Sequence, residues 1–361
     1  MNRRMLMTGL AALTIVPPLG RALAQGGAAT PDKVHLLDAS WQAWKAVCLA
    51  EDGRVVDDFQ NAASHSEGQG YGLLLAALMD DRPSFDAMLD WTTRNLAVRD
   101  DTLLAWRWQP DAVPPVADHN NAADGDLFHA WALSIAATRQ QRPELTEQAT
   151  AIVQDLLRLC VVEHPDGSGA LLFLPGAEGF RSAEQVVINP SYYMPLAMRE
   201  LATATNQPRL QQVAEDGRRL IDGLAGTGLV PDWICLAATG RVAPPARFSQ
   251  NAGYEAIRVP LFALWSGNAA SPAVSGFAKA VAAAVPGADY PVVFDATTGA
   301  VLERSAHAGY GAVEALAACA GGSTLGSAMR PFVKEQPYYP ATLHLMALIA
   351  QVSQFPKCVP L

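Results

Sequence analysis

The stretch Ser64–Asp81 reads SHSEGQGYGLLLAALMDD and sets one carboxylate, Glu67, among three glycines, a glutamine and a tyrosine. An apolar run follows at once. Ser66 and Gln69 stand at the spacing of a capping box, which predicts a helix starting at Ser66 with Glu67 in its first turn. An acid there complements the helix dipole. Gly68, Gly70 and Tyr71 are nevertheless costly choices for a helix start. Glycines at such positions suit the close approach of another chain segment or of a ligand. The residue types therefore allow two readings of Glu67, one as a dipole partner and one as a group held for proton transfer.

Other chemistries lack their signatures. GQGYG has no strand before it and does not complete G-x-G-x-x-G. No G-x-S-x-G elbow, H-E-x-x-H pair or P-loop occurs, and the seven histidines are scattered without metal-ligand spacing. The formal charge of −9 comes with no Lys/Arg stripe, which argues against nucleic acid as a partner and suits a neutral or cationic substrate.

The elements that must position Glu67 are helical. In ELTEQATAIVQDLLRLCVV, residues Ala149, Ile152, Val153, Leu156 and Cys160 recur at three and four, behind a Pro143 suited to a first turn. RLQQVAEDGRRLIDGLA repeats the pattern through Leu210, Val213, Ala214, Leu220, Ile221 and Leu224. DLFHAWALSIAATR and ATLHLMALIAQVSQ are more apolar and read as inner, buried helices. Strand signals are sparse, and Tyr290–Leu302 is the best hairpin candidate. With long Pro/Gly-rich loops and no internal repeat, one all-α domain of two helical layers fits the pattern.

The N-terminus is set apart. MNRRM is a basic region, LMTGLAALTIV a short apolar one, and ALAQ offers cleavage after Ala24, the pattern of a secretory leader. The paired Arg3 and Arg4 leave a twin-arginine route open beside the general one. Residues 1–24 are thus expected to be a signal peptide and 25–361 a single catalytic domain, periplasmic or secreted. The five cysteines are far apart and odd in number. Buried thiols are the expectation, with room for one disulfide involving Cys358 in an oxidising compartment.

Several ordered stretches together resemble glycoside hydrolase family 8. SEGQGYGLLLA looks like its proton-donor motif, and DGRVVD, AWRW, AADGDLFHAWAL, INPSYYMPLA, YEAIRVPLFALW and YYPATLHLMA follow in order over nearly the whole chain after the leader. More narrowly, they resemble the endoglucanases that accompany bacterial cellulose synthesis. The resemblance implies an (α/α)6 barrel, hydrolysis of β-1,4-glucan with inversion, and neither metal nor organic cofactor.

Carried over residue by residue, Glu67 matches the general acid. That role needs a proton beside the glycosidic oxygen, while a helix N-terminus favours the ionised form; burial or a second carboxylate must outweigh it, and Asp124 is the neighbour expected to do so. Asp124 matches an aspartate that contacts the sugar at the cleavage point and stabilises oxocarbenium character. Read without the resemblance, its DGD is an ordinary loop with Asp126 near a helix start. His129 reads as a core histidine. Glu255 stands where the family has an aspartate that activates water. Its extra methylene consumes room that an inverting site needs for that water. Arg258, one turn on, is expected to hold Glu255 ionised. Tyr192 matches a tyrosine near the attacking water, or is a half-buried packing residue. Trp106, Trp108, Tyr338 and Tyr339 are candidates for stacking on sugar faces. Core packing is the alternative for each, and only Trp106 stands clear of it.

The expected protein is an exported inverting endo-β-1,4-glucanase that trims nascent cellulose. Its partner is the glucan chain, and contact with the cellulose-synthesis machinery is left open. Chitosan, xylan or mixed-linkage β-glucan remain alternative substrates. A glucan-binding subunit that has lost hydrolysis through Glu255 is the alternative from another class.

Overall fold

The computed structural model describes residues 36–323 and 325–359, so the leader expected over residues 1–24, with its cleavage point, lies outside the described residues. Among the described residues eleven α-helices alternate with short antiparallel strands. In chain order they are α1 (Asp38–Cys48), α2 (Ser66–Leu78), α3 (Arg82–Asn95), α4 (Ala123–Arg139), α5 (Glu144–Leu159) and α6 (Pro195–Ala204). There follow α7 (Pro208–Ala225), α8 (Arg258–Trp265), α9 (Pro272–Ala283), α10 (Ala308–Gly321) and α11 (Tyr338–Gln354).

Two kinds of helix are present, and sequence composition separates them. α5 buries the stripe Leu145, Ala149, Ile152, Val153 and Leu156, and α7 buries Leu210, Val213, Ala214, Ile221 and Leu224. These stripes recur at helical spacing, as expected of an outer layer. α2, α4, α8 and α11 are buried on nearly every side. They lack a polar face and can only be inner elements. Trp41 and Trp44 of α1 stack at 5.3 Å, and the Trp44 indole donates to Thr342 of α11 at 3.0 Å.

α2 crosses α4 in close contact, and glycine makes it possible. A Cβ on Gly70 would lie 2.8 Å from the carbonyl oxygen of Gly125, and one on Gly125 would collide with Ser66 and the Glu67 amide. Gly72 is equally confined, against Met88 and Val55. The glycines that are costly for α2 in isolation thus serve its packing, which brings the first turns of two buried helices side by side.

The capping expectation needs correction. α2 does begin at Ser66, but its N-cap is His65, with no side-chain cap bond. Gln69 is fully buried and faces away from the helix start. Its Oε1 accepts the Val55 amide at 2.5 Å, and its Nε2 donates to Thr92 of α3 at 2.8 Å.

Short strands fix the loops around the inner helices. β1 (Ser64–His65) pairs with β2 (Arg107–Trp108), setting the Trp106 carbonyl 3.0 Å from the Ser66 amide. β3 (Val161–Glu163) pairs with β4 (Leu171–Phe173). β5 (Gln185–Ile188), β6 (Ile234–Ala237) and β7 (Gly240–Val242) form an antiparallel sheet with Ile188 opposite Ile234. That register brings Asn189, just after β5, and Asp232, just before β6, to the same end of the sheet. The hairpin expected at Tyr290–Leu302 is present as β8 (Tyr290–Phe294) and β9 (Val301–Ser305). Cys319 and Cys358 form a disulfide, while Cys48, Cys160 and Cys235 are buried thiols.

Replacing Gly70 with alanine tests the crossing. Helix propensity alone would stabilise by about 1 kcal/mol, whereas overpacking against the α4 backbone costs about 1–3 kcal/mol. Net destabilisation in urea or thermal unfolding is expected; a more stable Gly70→Ala protein would contradict the packing.

Candidate active site

The N-terminal ends of the inner helices converge. Glu67 lies in the first turn of α2, Asp124 in that of α4, Arg258 begins α8, and Tyr338 and Tyr339 begin α11. Helix N-termini favour the two carboxylates and at the same time crowd like charges together. One cation resolves the crowding.

Arg258 is 1 % exposed and reaches three carboxylates. Its Nη1 donates to Glu67 Oε2, to the Tyr71 hydroxyl at 3.0 Å and, more loosely, to Asp124 Oδ2 at 3.5 Å. Its Nη2 donates to Glu255 Oε2 and to Ser191 Oγ at 2.8 Å. The Tyr192 ring faces the guanidinium at 5.7 Å. The sequence reading gave Arg258 to Glu255 alone; the structure gives it to both of the carboxylates proposed for catalysis.

Glu255 sits on a turn held from below. Asp232 Oδ1 accepts the backbone N–H groups of Gly253 at 2.9 Å, Glu255 at 3.2 Å and Ala256 at 2.8 Å. Asn189 donates to Glu255 Oε2 at 2.9 Å while its own oxygen accepts from Ser191. All three side-chain partners of Glu255 engage Oε2, and the side chain keeps 36 % exposure toward the cavity. Among the described residues no side chain donates to Oε1.

The electrostatics follow from burial. Asp124 is pushed well above the usual carboxylate range by burial first and Glu67 second, against the pull of Arg258. Burial also raises Glu255, with Arg258 opposing and Glu67 adding to the rise. Burial raises the phenols of Tyr71, Tyr192, Tyr338 and Tyr339 further, leaving four neutral hydroxyls around the acids. A site of this kind holds some carboxyls protonated and others ready to accept.

Beside these groups lies a cavity of about 390 Å³, lined by Glu67, Glu255, Arg258, Tyr254, Tyr338 and Tyr339 and by a second group at Asp57, Phe59, His65 and His307. Tyr339 lies partly open and its hydroxyl donates to the Tyr254 carbonyl. Tyr338 differs from the sequence expectation: at 2 % exposure its ring has no free face for a sugar, and its hydroxyl instead stands 3.4 Å from Glu67 Oε1. Trp106 stays outside the cavity lining. Its indole donates to Asp118 at 2.9 Å, and Arg107 lies over its ring at 5.5 Å. Trp108 packs edge-on against Trp91, a core role. His129 is buried, and burial lowers its pKa to about 4, as fits a core histidine.

Asp232, Asn189, Ser191 and Tyr71 escaped the sequence reading as site residues. Asn189 and Ser191 stand in INPSYY and Tyr71 in the acid motif, so their neighbours signalled them. Nothing in PDWICL marks Asp232, whose role exists only through the sheet register and the Gly253–Ala256 turn.

Comparison with known proteins bears on what such a site does. The chain matches the family model described as glycosyl hydrolases family 8 over residues 20–353. It is 36 % identical over 352 residues to a probable endoglucanase of Novacetimonas hansenii, covering 95 % of this chain and 99 % of that one. The solved endo-β-1,4-glucanase of Acetobacter xylinum superposes with a TM-score of 0.77 at 35 % identity, over 90 % of this chain and 99 % of that one. A family 8 endoglucanase from Klebsiella pneumoniae gives 0.77 at 30 % identity, over 87 % and 99 %.

The buried acids set the pH dependence of stability. Burial raises Asp126 to about 7 against hydrogen bonds from Asn121 and Leu104, and raises Glu314 to about 7 against Arg304. A carboxyl raised on folding contributes stability fully present below its unfolded pKa and lost as pH rises through the folded one. Asp124, Asp232 and Glu255 shift in the same direction. His129 and His344 are lowered by burial and act oppositely, but only below the unfolded histidine value of about 6.5. Between pH 8 and 6.5 the carboxyls dominate, so acidification across that window should raise Tm by roughly a few degrees. A Tm that falls over the same interval would contradict the assignment.

Proposed function

The chain belongs to glycosyl hydrolase family 8, and from that premise we propose that it is an endo-β-1,4-glucanase that cleaves with inversion. One observation carries the reading. A single guanidinium spaces Glu67 from Glu255 at the edge of the cavity, and each carboxylate keeps its second oxygen off that cation. Inverting hydrolysis needs two carboxyl groups with room for a water between them.

Glu67 serves as the acid. Oε2 accepts from Arg258 in either protonation state, and Oε1 carries the proton to the leaving oxygen. Glu255 serves as the base, its Oε2 anchored by Arg258 and Asn189 and its Oε1 taking the proton from water. Asp124, kept toward its neutral form by burial, meets the ring being cleaved and stabilises its oxocarbenium character. The Tyr192 hydroxyl, also neutral, serves near the attacking water. Tyr339 and Trp106 contribute sugar contacts, Trp106 on a wall next to the cavity. The chemistry draws only on these side chains and water.

The alternation of inner and outer helices supports closure into an (α/α)6 barrel, with the site at the N-terminal ends of the inner ring. The similarity to a solved endo-β-1,4-glucanase supports a β-1,4-glucan as substrate, and cellulose is the glucan proposed. Trimming of nascent cellulose, contact with the machinery that makes it, and export by the N-terminal leader belong to the same proposal. Export rests on the leader pattern and agrees with the disulfide.

Reducing-end release from carboxymethyl cellulose, chitosan, xylan and mixed-linkage β-glucan tests the substrate. Fastest release from carboxymethyl cellulose is expected, and release from chitosan or xylan alone would overturn that choice. Glu67→Gln should lower kcat by about 10³-fold or more with glucan binding retained. Glu255→Ala should do likewise, and Glu255→Asp should keep or raise activity. A Glu255→Ala protein retaining most of its activity would place the base elsewhere.

A further inference from the structure

Among the described residues two aromatic rings are exposed, Phe59 at 64 % and Tyr254 at 43 %, and both line the cavity of the candidate site. A phenyl ring left in water forgoes the burial that favours folding, and in a cavity beside paired acids it points to a ligand. Phe59 is held in place by its own turn. Its amide donates to Asp57 Oδ1 at 3.0 Å, while Asp57 Oδ2 accepts from Gln60 Nε2 at 3.0 Å and lies 3.1 Å from His65 Nε2. The Asp57 amide closes the turn on the Ala63 carbonyl at 2.9 Å, and Arg54 donates to the Ala62 carbonyl at 2.6 Å. Asn61 and Ala62 both take left-handed backbone angles, φ 57° and 54°, a cost that non-glycine residues bear where the surrounding structure fixes them.

His307 stands beside this ring, 6.1 Å away between centroids and tilted by 59°. It is the N-cap of α10, and its backbone amide meets Ser305 Oγ at 3.3 Å. Among the described residues its ring nitrogens make no hydrogen bond. One turn into α10, Tyr310 packs against Tyr254 at 6.0 Å and against Tyr339 at 6.4 Å. The start of α10 thus braces both exposed rings, Phe59 through His307 and Tyr254 through Tyr310.

The side of the cut follows from the acid. Asp124 and Tyr192, read as partners of the ring being cleaved and of the attacking water, do not line this cavity. Glu67 Oε1, which must meet the leaving oxygen, stands 3.4 Å from the Tyr338 hydroxyl. From there the wall runs through the His65 ring, 5.5 Å from that of Tyr338, and through Asp57 to Phe59. We propose that Phe59, with His307 beside it, forms a binding subsite for the departing, reducing-end part of the glucan and sets the chain length required on that side. The proposal rests on the reading of Glu67 as the acid and of a β-1,4-glucan as the substrate. The C–H face of a glucosyl residue lies on the Phe59 ring, and a His307 nitrogen bonds a hydroxyl at its edge. Neither side chain touches the bond being broken, so both act on binding and on the register of the chain.

The test compares substrates with and without a sugar on the leaving side. On cellohexaose, Phe59→Ala should raise KM about tenfold while kcat stays within about twofold. On β-cellobiosyl fluoride, whose leaving group is a single atom, kcat/KM should stay within about twofold. With cellohexaose isotope-labelled at its reducing end, the labelled fragments should become shorter, and Phe59→Trp should keep the unaltered KM and pattern. Equal losses on both substrates would put the ring on the other side of the cut, and an unchanged KM and fragment pattern would remove it from binding; either result overturns the subsite. Calorimetry of cellotetraose on the Glu67→Gln protein separates this inference from the reading beneath it. Adding Phe59→Ala should weaken that binding about tenfold. Unchanged affinity beside an active unaltered protein defeats the subsite alone, whereas an unaltered protein that fails to hydrolyse β-1,4-glucan defeats the reading of the site first.

Discussion

One guanidinium holds the molecule's chemistry together. Arg258 is buried at the start of α8, where the helix dipole disfavours a cation, and it stays charged because carboxylates from α2, α4 and its own preceding turn surround it. A buried ion pair is weak evidence of net stability, yet removing one partner leaves an uncompensated charge that costs about 3–5 kcal/mol. That asymmetry locks three helix starts and the Glu255 turn into one arrangement. The same contacts give the site its division of labour. Glu67 and Glu255 each have one oxygen held by Arg258 and the other off that cation.

Placing two acids on adjacent helix N-termini is possible only if the helices touch. Side chains of ordinary size at positions 70 and 125 would hold α2 and α4 apart, since a Cβ at either meets the backbone of the other helix. Glycine therefore sets the spacing of Glu67 and Asp124, and through it the burial that raises Asp124. A different layer fixes Glu255. The β5–β6 register brings Asn189 and Asp232 to one end of the sheet, one gripping the Glu255 carboxylate and the other its backbone turn. Helix packing on one side and sheet register on the other thus converge on Arg258.

The helices were legible in sequence because their apolar spacing is local information. α5 and α7 bury the residues that their periodicity selects, save Leu220, which is half-buried, and the β8–β9 hairpin stands where its alternating pattern puts it. Glu67, Asp124 and Glu255 were legible through the ordered motifs, and the structure gathers them around one cation. What was not legible depends on contacts distant in the chain. The glycines beside Glu67 signalled a close approach, but not that α4 was the approaching partner. Gln69 matched a capping box, yet the burial of its side chain against Val55 and Thr92 gave it other bonds. Tyr338 read as a sugar platform because exposure cannot be seen in YYPATLHLMA. Asp232, 23 residues before Glu255 whose amide it accepts, carried no local signal.

Proton NMR of a cello-oligosaccharide digest, recorded before mutarotation, tests the central claim most directly. A water activated by Glu255 on the face opposite the leaving group yields the α-anomer first, with the β-anomer growing in only later. The β-anomer appearing first would contradict the pairing of Glu67 and Glu255 across Arg258 as acid and base.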